Sequence, residues 1–147
     1  MKKIMLAFSV MFIAVTAFAQ EATLKKADNV IKFKENVYDF GKIKQGVPVT
    51  HDFAFTNISD KPVIIENATA SCGCTTPSWP QAPVAKGKEE IITAGFNAAA
   101  LGTFSKQITI KVAGIDIPAQ ITIKGEVLNA EEYAKFEKEG KTAKTAK

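Results

Sequence analysis

From residue 31 onward, apolar and polar residues alternate in short runs separated by turn residues. Ile31 to Phe33 forms a first β-type run, and Val37 to Ile43, with Tyr38, Phe40 and Gly41, forms a second. Lys44-Gln45-Gly46 makes a turn. Val47, Val49, Phe53 and Phe55 then alternate with Pro48, Thr50, Asp52 and Thr56, which is the period of a strand with one wet face. Asn57 to Pro62 collects Asn, Ser, Asp and Pro and reads as a turn. Val63 to Thr69 is a further strand, and the cysteine-bearing loop Ser71 to Gly87 follows it.

The rhythm continues in the second half. Ile92, Ala94 and Phe96 share one face of a strand, and Asn97 to Gly102 forms a connection. Phe104, Ile108, Ile110 and Val112 line one face of the next strand, with Ala113-Gly114 as a tight turn. Ile115, Ile117, Ala119, Ile121, Ile123 and Val127 keep alternate positions apolar. Thr103–Val112 and Ile115–Val127 are therefore expected to pair as a hairpin. About seven short strands at this spacing predict an all-β chain, an antiparallel β-sandwich over residues 31–128.

The flanks differ from this domain. Gln20 to Val30 is polar and Lys-bearing and reads as a flexible lead-in. At the other end Asn129 is placed to cap a short helix and Glu132 to complete a capping box, with Tyr133 and Phe136 on one side. After Gly140 the run of Lys, Thr and Ala is low in complexity and is expected to be a disordered basic tail across the end of 129–147. It reads as a solvated terminus in preference to a tether for an anionic surface.

The first 19 residues follow a different logic. Lys2 and Lys3 precede an uncharged apolar stretch from Ile4 to Ala17, and Ala17-Phe18-Ala19 supplies the small-x-small pattern of a cleavage site before Gln20. A helix needs roughly 20 apolar residues to span a bilayer, and this run is shorter. The segment reads as a secretory signal peptide, which makes the mature protein periplasmic or secreted and not membrane-spanning. Its removal leaves 128 of the 147 residues, enough for one domain, and takes the formal charge from +4 to +2 by loss of two lysines. The chain contains no Arg, the side chain best suited to guanine edges and two-pronged phosphate contacts. With export, that argues against a nucleic-acid partner.

Chemistry concentrates in Ser71-Cys72-Gly73-Cys74-Thr75-Thr76-Pro77, which holds both cysteines. Three readings stay open. The pair can close a small strained disulfide ring, which Gly73 permits by its conformational freedom and which would be readily reduced. It can bind a soft metal as two thiolates, Cu(I) or Zn²⁺. Or both can remain structural thiols. Zinc wants four ligands, and the additional donors are poor: His51, Asp60 and Glu66. Met1, Met5 and Met11 all leave with the signal. The disulfide is preferred, with metal ligation by Cys72 and Cys74 the weakest of the three, and no cofactor is expected.

No catalytic set emerges. His51 falls on the strand face of Val49 and Phe53, where a lone His is more often a satisfied core or edge residue than a base. A Ser71–His51–Asp52 triad is blocked by alternation, because Asp52 points away from its neighbour. A cysteine nucleophile beside His51 would be captured by the second cysteine. No glycine-rich phosphate loop is present. Trp79, in Pro77-Ser78-Trp79-Pro80, reads as a cover for the end of the core, with an aromatic partner contact as the functional alternative. Asn57-Ile58-Ser59 and Asn67-Ala68-Thr69 match the glycosylation acceptor pattern, which arises often by chance.

Tyr38-Asp39-Phe40-Gly41 with Gly46, Phe53-Ala54-Phe55-Thr56-Asn57, Ser71-Cys72-Gly73-Cys74-Thr75, Lys86-Gly87, Phe96-Asn97 and Gly102-Thr103-Phe104 together resemble the bacterial "domain of unknown function 1573" family. The resemblance covers about residues 33–127, and Ser-Cys-Gly-Cys-Thr is its most specific element. One departure is Ala85-Lys86-Gly87, where Pro-Gly is more usual. The resemblance implies an exported immunoglobulin-like β-sandwich and no assigned activity. The function expected on these grounds is a non-catalytic binding or scaffolding module with an unidentified protein or cell-envelope partner. The alternative is a redox-labile or copper(I)-handling protein acting through Cys72 and Cys74. An intact mass of the exported protein purified without reductant is expected to begin at Gln20. A chain that retains Met1 would overturn the export reading, and a mass two hydrogens below the reduced value would report a bonded cysteine pair.

Overall fold

The computed structural model describes residues 24–145, with side chains to residue 139. The expected signal peptide at 1–19 lies outside the described residues, as do residues 20–23, 146 and 147. Eight strands follow in chain order: β1 (Ile31–Phe33), β2 (Val37–Lys44), β3 (Val49–Asn57), β4 (Ile65–Ala70), β5 (Thr75–Ser78), β6 (Glu89–Phe96), β7 (Gly102–Val112) and β8 (Ala119–Leu128). A helix, α1 (Ala130–Thr145), closes the chain. One four-stranded sheet has the order β1-β3-β6-β5 and the other β2-β8-β7-β4. Among the described residues no helix is long and apolar enough to cross a membrane.

The core is what the alternation implies. Phe53 and Phe55 from β3 and Ile92, Ala94 and Phe96 from β6 face Ile108, Ile110 and Val112 from β7 and Ile121, Ile123 and Val127 from β8, all buried. Each of the Val, Ile and Phe side chains removed from water contributes about 1.5–3 kcal/mol, so two inner faces of this kind hold the sheets together. Aromatic rings add a seam between the layers. Phe96 of β6 stacks on Phe104 of β7 with centroids 4.0 Å apart.

Several expectations need correction. Among the described residues there are eight strands, because β5 lies inside the cysteine-bearing segment taken for a loop. Thr75–Ser78 carries Pro77 and no alternating apolar face, yet it pairs antiparallel with β6, Thr75 opposite Phe96 and Ser78 opposite Thr93. Proline is tolerated there because β5 is an edge strand. The sandwich also contains one parallel pair, β2 with β8.

The β7–β8 hairpin forms, but not around a two-residue loop. The Ile115 N–H does donate to the Val112 carbonyl at 3.2 Å, with Gly114 at φ +69°. The ladder nevertheless begins at Ile110 opposite Ala119. Residues 115–117 are drawn off by the N-terminal segment, where the Lys25 carbonyl accepts from the N–H groups of both Asp116 and Ile117 at 3.0 Å. In return the Ala27 N–H donates to Ile117 at 2.8 Å, and the Lys25 N–H to the Asp116 carboxylate at 2.9 Å. The described part of the expected flexible lead-in is therefore tied down, with Ala27 buried in the core.

Asn57 shows why the first glycosylation pattern has no meaning in the folded chain. It is fully buried. Its amide donates to the carbonyls of Lys61 and Val84, both at 2.8 Å, and its Oδ1 accepts from the Ser59 N–H and hydroxyl. The residue pins the turn after β3 by filling every bond the turn leaves open. At the C-terminus the capping box is realised: Asn129 Oδ1 accepts from the N–H groups of Glu131 and Glu132, and Glu132 accepts from the Asn129 N–H. The helix continues through Gly140 to Thr145, beyond the point where the basic tail was expected to become disordered.

A close approach inside the second sheet depends on Gly125. β2 is bulged between Asp39 and Lys42, with Gly41 at φ +64° and its N–H bonded to Asp39 Oδ1 at 2.8 Å. A Cβ on Gly125 would lie 2.8 Å from the Gly41 carbonyl oxygen and 2.9 Å from the Phe104 ring. Gly125→Ala is expected to lower stability by about 1–3 kcal/mol in urea unfolding. A variant as stable as the parent would mean that β2 and Phe104 are free to step aside.

Candidate functional site

Cys72 and Cys74 are bonded to each other, with Cα atoms 5.3 Å apart. Of the three readings left open by the sequence, the disulfide is the one realised, and there are no free cysteines among the described residues. The ring sits where the chain leaves β4 in one sheet and enters β5 in the other. It is anchored on every side by main chain. The Ser71 N–H donates to the Gln107 carbonyl at 2.9 Å, the Thr75 N–H to Cys72 at 3.3 Å, and the Asn97 N–H to Cys74 at 3.1 Å. β5 can come this close to β6 because residue 95 is glycine: a Cβ there would lie 2.9 Å from Thr76 Oγ1.

The two sulfurs have different surroundings. Cys72 Sγ is 3.7 Å from Thr75 Oγ1, and the Thr75 side chain is buried. A bonded sulfur carries no hydrogen, so Thr75 is the donor. Cys74 packs against the core and lines two shallow depressions on either side of Phe96 and Asn97. One, of about 160 Å³, also carries Phe104, Leu101 and Lys106. The other, of about 180 Å³, runs past Pro48, Thr50 and Gly95.

The neighbouring connections are locked to one another. The Gly46 N–H donates to Ala98 at 2.9 Å, the Gln45 side chain to Ala99 at 3.0 Å, and the Gln45 N–H to Leu128 at 2.8 Å. Ala98 is buried and held at φ +50°, the one non-glycine residue with positive φ among the described residues. Such a conformation costs energy and persists only where surrounding bonds impose it. Val47 and Leu101 stand about half exposed on these loops.

The other candidates are not gathered here. His51 lies on the face of Val49 and Phe53, as its position in the alternation implies. Its ring stacks on Tyr38 with centroids 3.4 Å apart, meets Phe53 edge-on, and hydrogen-bonds Glu35 through Nε2 at 2.8 Å. It is a satisfied edge residue. Asp52 points to the opposite face and accepts from the Thr93 hydroxyl at 2.6 Å, while the Ser71 hydroxyl accepts from the Gln107 N–H at 3.3 Å. The three triad candidates thus have three unrelated partners. Asp60 is paired with Lys86 and Glu66 with Lys111, and no group of three or more His, Cys, Asp or Glu is placed to hold a metal among the described residues. Ala98, Leu101 and Lys106 went unnoticed in the sequence, and Thr75 was noted as part of the cysteine motif without a role of its own. Only Thr75 had a signal, its place next to the Cys-Gly-Cys run.

Trp79, just past β5, is half-buried and packs against the core, and its indole nitrogen is buried without a hydrogen-bond partner. Covering the core is the role its packing describes.

Two four-stranded sheets packed face to face define an immunoglobulin-like β-sandwich. The chain belongs to the family described as "Protein of unknown function (DUF1573)", whose model matches residues 31–127. No curated protein matches it. Among solved structures it is similar to a protein of unknown function from Porphyromonas gingivalis, at 13% identity and a TM-score of 0.56, covering 66% of this chain and 46% of that one. It is also similar to the ASH / PapD-like domain 7 of human CEP192, at 7% identity and a TM-score of 0.59, covering 88% and 99%. The SrpA adhesin of Streptococcus sanguinis matches at 11% identity and a TM-score of 0.52, covering 78% and 63%. The chain spans less than half of the Porphyromonas protein. At these identities the likeness is one of fold alone.

Because the Trp79 indole N–H has no bond to lose, Trp79→Phe is expected to change unfolding free energy by less than about 1 kcal/mol. Trp79→Ala should cost about 2–3 kcal/mol through lost packing. Equal, small effects of both would show that the ring does not cover the core.

Proposed function

We propose that the protein is an exported, non-catalytic binding or scaffolding module whose contact surface is the loop end around Cys72–Cys74. The observation that carries this reading is that connections 45–48 and 71–75 are each locked to connection 97–101, by main-chain hydrogen bonds and the Gln45 side chain, while Val47 and Leu101 stay exposed. Loops held in place before a partner arrives lose little entropy on binding, and exposed apolar side chains on such loops supply the buried area. The partner is a protein or another component of the cell envelope.

The test compares the parent with a Val47→Asp/Leu101→Asp double variant, both exported to the periplasm and crosslinked in place. The parent is expected to recover a reproducible partner, and the folded double variant to lose it about tenfold or more. Equal recovery with both, or none with the parent above background, would overturn the reading.

A second reading is favoured by the disulfide itself. Cys72 and Cys74 form a partly exposed ring beside two depressions, which suits a redox-labile pair. A copper(I)-handling role would require the pair to be reduced first, because thiolate donors exist only then.

A further inference from the structure

We propose that the Cys72–Cys74 disulfide is an exchange site with a fixed polarity, in which an external thiolate attacks Cys74 Sγ and Cys72 leaves as the thiolate held by the Thr75 hydroxyl. This rests on the redox reading of the ring and adds which sulfur is attacked, from which side, and by what class of partner. Thiol–disulfide exchange depends on access to the attacked sulfur and on the stability of the departing thiolate. Each condition singles out a different cysteine here.

Both cysteines are partly exposed, and what distinguishes Cys74 is that depressions able to seat an incoming thiol open beside it. Both depressions at this end include Cys74 in their walls, and neither includes Cys72. One of them carries Lys106 and no other charged residue, whereas the other has no charged lining residue. An incoming thiolate is an anion, so the Lys106 depression is the entry its charge selects.

Departure belongs to Cys72. The Thr75 hydroxyl is buried, and the partner it finds is Cys72 Sγ at 3.7 Å. A disulfide sulfur is a weak acceptor, while a thiolate is a strong one, and hydrogen bonds to charged acceptors are worth about 1.5–3 kcal/mol. The buried hydroxyl is thus better satisfied once Cys72 has left than before.

The co-reactant is a dithiol, either small or on a protein. Its first thiolate forms a bond to Cys74 Sγ as the Cys72–Cys74 bond breaks, and the electron pair goes to Cys72. Its second thiolate then attacks its own sulfur in the mixed disulfide and releases the Cys74 thiolate. The dithiol is oxidised to a disulfide, the protein pair is reduced by two electrons, and the two protons of the dithiol end on Cys72 and Cys74.

The experiment uses the full exported protein with its native disulfide and glutathione as an anionic monothiol. Brief reaction, quenching with N-ethylmaleimide and fragment mass analysis locate each adduct. Glutathione is expected on Cys74 and maleimide on Cys72. The reverse placement, or an equal split, would overturn the proposal.

Thr75→Val should slow reduction roughly three- to tenfold, with Thr75→Ser restoring the rate. An unchanged Thr75→Val rate would remove Thr75 from the step. Should Thr75→Val fail to fold, the adduct position in the parent decides alone. Lys106→Gln should slow glutathione severalfold but leave the neutral dithiol dithiothreitol unaffected, and equal slowing of both would count against the charged entry. Failure of the redox reading is separate: it would show as a parent disulfide that dithiothreitol leaves closed while it opens the same ring in a short peptide of residues 70–77.

Discussion

Phe104 occupies the position from which the loop end of the sandwich is built. Its ring stacks on Phe96 of the opposite sheet at 4.0 Å, and its other neighbour is the backbone of Gly125, where a Cβ would fall 2.9 Å from ring carbons. A ring bridging two sheets fixes their spacing at that point, since packed interiors yield little. The seam continues through Phe40, which lies 6.5 Å from both Phe104 and His51, to the stacked pair of Tyr38 and His51. Asn97 follows directly on Phe96, and Gly102-Thr103 leads directly into Phe104. The connection 97–101 must therefore cross from one sheet to the other over the stacked rings. The positive φ of Ala98 belongs to that crossing.

The cysteine loop is set by the same crossing. Cys74 accepts from the Asn97 N–H, so the first residue after the stack positions the second cysteine. From the other side, Gly46 and Gln45 hold Ala98 and Ala99. The proposed binding surface and the proposed exchange site are consequently parts of one assembly. A displacement of Phe104 would pass through Phe96 and Asn97 to Cys74.

What could be read from the sequence follows a physical division. Side chains that alternate into a shared core announce themselves, so Phe53, Ile92, Ile108 and Ile121 were assignable to inner faces before any coordinates. Backbone pairing without apolar alternation does not. β5 is Thr-Thr-Pro-Ser and is a strand only because β6 offers it a ladder through Gly95. The β7–β8 register was misplaced because Ile115 and Ile117 keep the apolar period. Asp116 and Ile117 instead exchange main-chain bonds with Lys25 and Ala27, a competition visible only in three dimensions. Within the site, the cysteine pair was conspicuous, whereas Lys106 lines the same depression as Cys74 from a strand distant in sequence. Asn57 shows the reverse case, since it belongs to a surface-type motif and is itself buried while Ile58 beside it is exposed.

The disulfide is hard to explain as a device for stability. On the loop-entropy model a crosslink between residues two apart gains only about 1.6 kcal/mol, roughly half of what a 15-residue loop gives. The segment is held without it, by the bonds from Ser71 to Gln107, from Thr75 to Cys72 and from Asn97 to Cys74, all of them main chain. None of these requires the sulfurs to be joined. The scaffold can therefore keep its shape through a cycle of opening and closing, while the chemistry at its surface changes between a closed ring and two thiols. A buried hydroxyl directed at one sulfur and a lysine lining the approach to the other are superfluous to a structural crosslink. They are useful to a pair that opens in one direction.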